Sequence, residues 1–179
     1  MIIYTGFQFA APPHVGVPWF LRSAQQVGLG EASDCDAFRP FPGNETDVNT
    51  LRVSIVRHPG DWLLAYHRHG FGNRMERGEF ARLDRESSFV DFVRRYLKRC
   101  PGAMSRLFLQ TYRADSYLRF EELAGGFSGL ARSVGVEERL LVGVKPPAQS
   151  LLRARRWNEA LRRDLLDAER DMMDMFLYT

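Results

Sequence analysis

The chain has 179 residues, 45% hydrophobic and 12% aromatic, which is enough to bury the core of one domain, and a single domain over residues 1–179 is expected. Its 25 Lys+Arg against 22 Asp+Glu leave a net charge of +3, and lysine occurs only as Lys98 and Lys145, so the excess is arginine: suited to bidentate phosphate or carboxylate recognition and modest for a nucleic-acid footprint. Two cysteines, Cys35 and Cys100, stand in no CxxC or metal-ligand spacing, and no apolar run is long enough to span a membrane, which argues against a disulfide framework, a metal site and a membrane anchor.

The N-terminus MIIYTGFQFAAPP has no basic region of the secretory type and meets prolines early, so a cytoplasmic protein is expected. Ile2 to Thr5 is a short β-branched run broken at Gly6 and predicts a buried strand. FQFAAPPHVGVP reads as the loop after it, and WFLRSAQQVGLG as a helix ending at Gly28 or Gly30. Residues 31 to 50 show no periodicity and predict a surface excursion.

Leu51 to Val56 is a second strand, ending at Arg57-His58-Pro59-Gly60-Asp61, with a helix expected from Trp62. Residues 70 to 86, polar and rich in glycine and arginine, read as a loop. Ser87 is the expected cap of an amphipathic helix with Phe89, Phe92, Val93, Tyr96 and Leu97 on one face. Further helix through Met104 to Tyr112 precedes a third strand, Asp115 to Arg119, and then a helix interrupted by glycines, FEELAGGFSGLARSVGV. A basic loop over 143 to 156 and one long amphipathic helix to the C-terminus complete the chain. Strands alternating with helices predict an α/β fold with a mostly parallel sheet, whose ligands lie at the carboxyl ends of strands.

Two strand-to-helix junctions, 6 to 19 and 57 to 66, therefore draw attention. Unpaired amides at a helix N-terminus attract anions, and an arginine closing a neighbouring strand supplies a second anion contact. In these stretches the sequence resembles the sulfotransferase family. Its strand-ending Arg-x-Pro motif matches Arg57-His58-Pro59-Gly60-Asp61 followed by Ala65-Tyr66, where Ala65 replaces the family's serine. Its donor loop aligns with Pro13-His14-Val15-Gly16-Val17-Pro18-Trp19-Phe20, keeping proline, glycine and tryptophan in register while His14 replaces a lysine and Val17 and Pro18 replace two threonines. Tyr117-Leu118-Arg119-Phe120-Glu121-Glu122-Leu123 is similar to a strand-end segment whose aromatic lies near adenine, and the loop holding Lys145, Arg153, Arg155 and Arg156 stands where the family folds a cationic segment.

The resemblance implies a P-loop-like three-layer fold, a central sheet flanked by helices, and sulfonate transfer from 3′-phosphoadenosine 5′-phosphosulfate to a hydroxyl or amine without a metal. It implies that His14, Val15, Gly16, Val17, Trp19, Arg57, Phe120, Lys145 and Arg155 contact the donor. His14, as a cation or acid toward the leaving phosphate, and His67 or Glu31, as a base toward the acceptor, are the catalytic candidates; His58 and His69 flank the second motif. The lost lysine and hydroxyls leave a second expectation open: a nucleotide-binding or structural relative without catalysis. A P-loop kinase is disfavoured because the chain contains no Gly-Lys dipeptide.

Overall fold

A computed structural model describes residues 1–30, 37–41, 50–70, 79–83, 88–145 and 158–178. These divide into two compact units, Met1–Arg57 with Thr111–Gln149, and His58–Gln110 with Ser150–Thr179. The class is mixed α/β, with one four-stranded, mostly parallel sheet and eight α-helices among the described residues.

The first unit holds the whole sheet: β1 (Ile2–Tyr4), β2 (Phe7–Phe9), β3 (Leu51–Val56) and β4 (Ser116–Arg119). β1 and β2 form an antiparallel hairpin with Tyr4 opposite Phe7, turned through Gly6 at φ 87, and β2, β3 and β4 run parallel. The expectation that Phe7 opens a loop is thus corrected. Alternation in Phe7-Gln8-Phe9 puts two rings on one face, where Phe9 stacks on Phe20 at 3.9 Å and Phe7 meets it edge-on at 6.4 Å.

Phe20 belongs to α1 (Val17–Gln26), which buries Val17, Phe20, Leu21, Ser23 and Ala24. The helix stops at Gln26, earlier than expected, because Gly28 at φ 80 gives its N–H to Gln25 and Leu29 gives its own to Ala24, the paired bonds of a Schellman ending. α5 (Leu123–Ser133) continues β4 through a 3₁₀ turn at Phe120–Glu122, and its Phe127 meets Phe20 at 5.3 Å and Trp19 at 5.7 Å. Its glycines do not interrupt it. A side chain at Gly126 would come within 3.2 Å of Leu118, so that glycine lets the helix approach β4. The short α6 (Glu138–Leu141) follows.

Strand neighbours are consecutive in chain order, so no reversal of winding opens a crevice among the described strands. The parallel register does something else: it brings the carboxyl ends of β2, β3 and β4, hence Ala10, Arg57 and Phe120, to one edge of the sheet.

The second unit is helical. α2 (Pro59–His69) begins three residues before the expected Trp62, since Pro59 takes the first helical position and His58 caps it, Nδ1 accepting from the Gly60 N–H at 3.2 Å. α3 (Phe89–Arg99) buries Phe89, Phe92, Val93 and Tyr96 as its spacing predicts, although Ser88 is the cap and Ser87 lies outside the described residues. The Ser88 hydroxyl accepts from the Asp91 N–H at 3.2 Å, and Ser88→Ala is expected to lower stability by about 1 kcal/mol in urea unfolding.

α4 (Ala103–Arg106) passes into a π-helical turn, Leu107–Thr111. The C-terminal stretch is two helices, α7 (Glu159–Ala168) and α8 (Arg170–Phe176), not one long helix. α7 packs on α2 and α3, and α8 on α4, around a cluster in which Trp62 meets Tyr66 at 5.6 Å, Phe80 at 5.3 Å and Phe108 at 5.9 Å. No described helix is long and apolar enough to cross a membrane.

Candidate functional site

The edge shared by β2, β3 and β4 gathers most of the sequence candidates within the first unit. From Ala10 the chain runs through the buried Ala11-Pro12-Pro13 to His14, which takes the left-handed conformation at φ 66, then to Val15 and to Gly16 at φ 91, the residue before α1. Left-handed backbone is costly for a histidine, so neighbouring groups must hold it. Arg57 is one of them: its Nη1 donates to the His14 carbonyl at 2.8 Å.

That arginine is only 6% exposed, and its guanidinium carbon lies 4.4 Å from the centre of the Phe120 ring, a desolvated cation–π contact. Phe120 in turn closes on the loop. A Cβ on Gly16 would stand 2.9 Å from Phe120 Cε2 and 3.0 Å from Leu123 Cδ2, so only glycine fits, on grounds of space as well as φ. Gly16→Ala is expected to cost about 2 kcal/mol or more, from left-handed strain plus displacement of Phe120, read as a drop in melting temperature.

The amides of Gly16 and Val17 donate no hydrogen bond among the described residues, whereas the Val15 amide closes the turn over Pro13-His14 and the Trp19 and Phe20 amides both turn to the Gly16 carbonyl at 3.0 Å. Two successive unspent N–H groups at the start of a helix form the kind of concavity that attracts an anion. Pro18, at the second helical position, contributes no N–H and is exposed.

Trp19 is occupied elsewhere. Its Nε1 donates to the Lys145 carbonyl at 2.7 Å, which ties the start of α1 to the last described residue of the first part of the basic loop; Lys145 is exposed. Glu31 and Arg155 lie outside the described residues, as do Arg153, Arg156 and Cys35.

No protein-family model, no curated protein and no solved structure matches the chain.

The remaining histidine candidates belong to the second unit. His58 caps α2 and meets Tyr178 edge-on at 5.4 Å, while Ala65 is buried on α2. His67 is half-buried in the last turn of α2 against Phe89 at 5.4 Å and Phe92 at 5.0 Å, and His69 is exposed. His67 also lines a half-open cleft of about 560 Å³ with Leu64, Arg68, Ser88, Phe89 and Val90. Sequence reasoning missed this cleft because it joins the end of one helix to the start of another. It also missed Leu123, whose contact with Gly16 no spacing announces.

Among the described residues no three His, Cys, Asp or Glu side chains gather as metal ligands. Cys100 is a buried free thiol whose pKa burial pushes up to about 11, far from the thiolate a nucleophile or metal ligand needs.

Proposed function

We propose that the protein is a sulfotransferase-like, P-loop-like three-layer protein that binds an adenosine bisphosphate nucleotide at the carboxyl edge of β2, β3 and β4. One juxtaposition supports the reading: the arginine closing β3 meets the carbonyl of His14 in the very loop where the Gly16 and Val17 amides are unspent among the described residues. Those amides would receive the phosphosulfate end, and Arg57 would donate to an oxygen of the second phosphate from the guanidinium beside the Nη1 it gives to His14. Phe120 would present the ring edge left by its contact with Arg57 to the adenine.

In the transfer itself the acceptor oxygen or nitrogen forms its bond to sulfur as the bond from sulfur to the bridging phosphate oxygen breaks. The acceptor proton passes to a base, for which Glu31 is a sequence candidate, and adenosine bisphosphate departs. His14 stands where the family carries lysine and would face the charge growing on the leaving phosphate. Alignment and electrostatics carry such a reaction, and no metal step is required.

A second reading, nucleotide binding without transfer, is favoured by Pro18. The family's two threonine hydroxyls are replaced by Val17 and by a residue lacking even an N–H, and each lost donor to a developing charge costs on the order of 3 kcal/mol in the transition state.

Calorimetry with 3′-phosphoadenosine 5′-phosphate tests both. Saturable heat is the expected result, and absence of heat and of any thermal shift at millimolar nucleotide would remove both readings. Transfer of radiolabelled sulfonate to a mixture of phenols, sugars and amines then separates enzyme from binder.

A further inference from the structure

The second unit carries a recess that the nucleotide reading does not use. We propose that the cleft between the last turn of α2 and the first turn of α3 is a binding site for a small molecule with an apolar body and one anionic head, such as an aryl or alkyl carboxylate. Its volume, about 560 Å³, falls in the range of small-molecule sites. Leu64 and Phe89 are buried and Val90 half-buried, so the floor is apolar.

Of the polar groups that line it, His67 and Arg68 come from α2 and Ser88 from the start of α3. Arg68 is exposed and forms no ion pair among the described residues, so its guanidinium is available to a carboxylate. His67 adds an imidazole whose ring rests on Phe89 and Phe92 and is thereby fixed in orientation. The first turn of α3 adds the partial positive charge of a helix start. The nearest carboxylate on that turn, Asp91, is engaged by the Ser88 hydroxyl at 2.7 Å and by Arg94 at 3.3 Å, and it does not line the cleft. An apolar floor beneath two basic side chains selects a ligand by both properties together; a bare inorganic anion lacks the body and a hydrocarbon lacks the head.

The test contains no nucleotide, so its outcome is separate from that of the nucleotide titration. The full chain is titrated calorimetrically with 4-phenylbutyrate and with the matching neutral amide. The carboxylate is expected to bind saturably and at least about tenfold more tightly than the amide. Arg68→Glu, a change on an exposed side chain, is expected to weaken the carboxylate by about tenfold or more while moving the amide little. Val90→Trp, which fills the cleft, is expected to abolish both with the circular dichroism unchanged. Absence of saturable heat up to about 10 mM overturns the proposal. So does carboxylate binding that survives Arg68→Glu undiminished, a readout that stands even where Val90→Trp fails to fold.

Discussion

Glu169→Ala is expected to destabilise the protein by roughly 3–5 kcal/mol. Glu169 is fully buried at the break between α7 and α8, where its backbone ends one helix and begins the next: its N–H donates to Leu165 and Leu166, and its carbonyl accepts from Met172 and Met173. The carboxylate binds other elements to that break. Tyr96 of α3 donates its hydroxyl to Oε1, and Ser105 of α4 gives both its N–H and its hydroxyl to Oε2, each at 2.7 Å, while the Met104 N–H donates to the Tyr96 oxygen at 3.1 Å. Truncation leaves three buried donors without an acceptor and a void beside them. Urea unfolding followed by circular dichroism measures the loss, and a midpoint within experimental error of wild type would show that the network is not holding the helices.

The same residue gives a signed pH dependence. Burial raises the Glu169 pKa above its ordinary value, and the hydrogen bonds from Tyr96 and Ser105 recover only part of that rise. A folded state that holds this proton more tightly than the unfolded chain gains stability at low pH. The gain is complete below the unfolded pKa and is lost as pH climbs through the folded one. Asp115 and Glu79, whose pKa values are lowered by their hydrogen-bonded partners Arg52 and Arg106, slope the opposite way, but they are partly exposed and screened by salt. The difference between wild type and Glu169→Gln isolates the buried carboxyl. It is expected to shift against wild type as pH rises through that window, and a difference constant with pH would contradict the assignment.

Much of this architecture is legible from the chain, for identifiable reasons. Leu51 to Val56 reads as a strand because β-branched residues dominate it, and Phe89 to Tyr96 as a helix because four large apolar residues recur at helical spacing. Both elements form. Phe7 to Phe9 is invisible because three residues hold too few alternations to outweigh the prolines that follow; it becomes a strand because the hairpin and β3 supply partners on both sides. The break at Glu169 is hidden for a different reason. In Asp-Ala-Glu-Arg-Asp a buried acid is written like its solvated neighbours, and only the arrival of Tyr96 and Ser105 tells it apart.

At the candidate site the arginine at the end of β3 and the glycine before α1 are readable as types. Their meeting is a consequence of parallel register. The left-handed conformation of His14 is only weakly signalled, since histidine enters that region more often than most residues but far less readily than glycine.

Arg57→Ala is the substitution with the largest expected effect on binding. The side chain performs two tasks that separate by chemistry: it holds the His14 carbonyl, and with it the loop, and it brings a buried positive charge beside Phe120. Loss of a desolvated charge-assisted contact to phosphate is expected to cost roughly 2–4 kcal/mol, a weakening of about 30- to 1000-fold in the affinity for 3′-phosphoadenosine 5′-phosphate. Loss of the hydrogen bond and of the ring contact is expected to lower folding stability by about 1–3 kcal/mol in the absence of nucleotide. Arg57→Lys divides the two tasks. An ammonium keeps the charge and can still donate to one carbonyl, but it lacks the planar fork that serves a phosphate and a loop carbonyl together, so folding stability should largely return while affinity returns only in part. Equal recovery of both would mean that Arg57 acts only by holding the loop. Unchanged affinity in Arg57→Ala, with the variant shown folded by its urea transition, would remove Arg57 from the nucleotide site altogether.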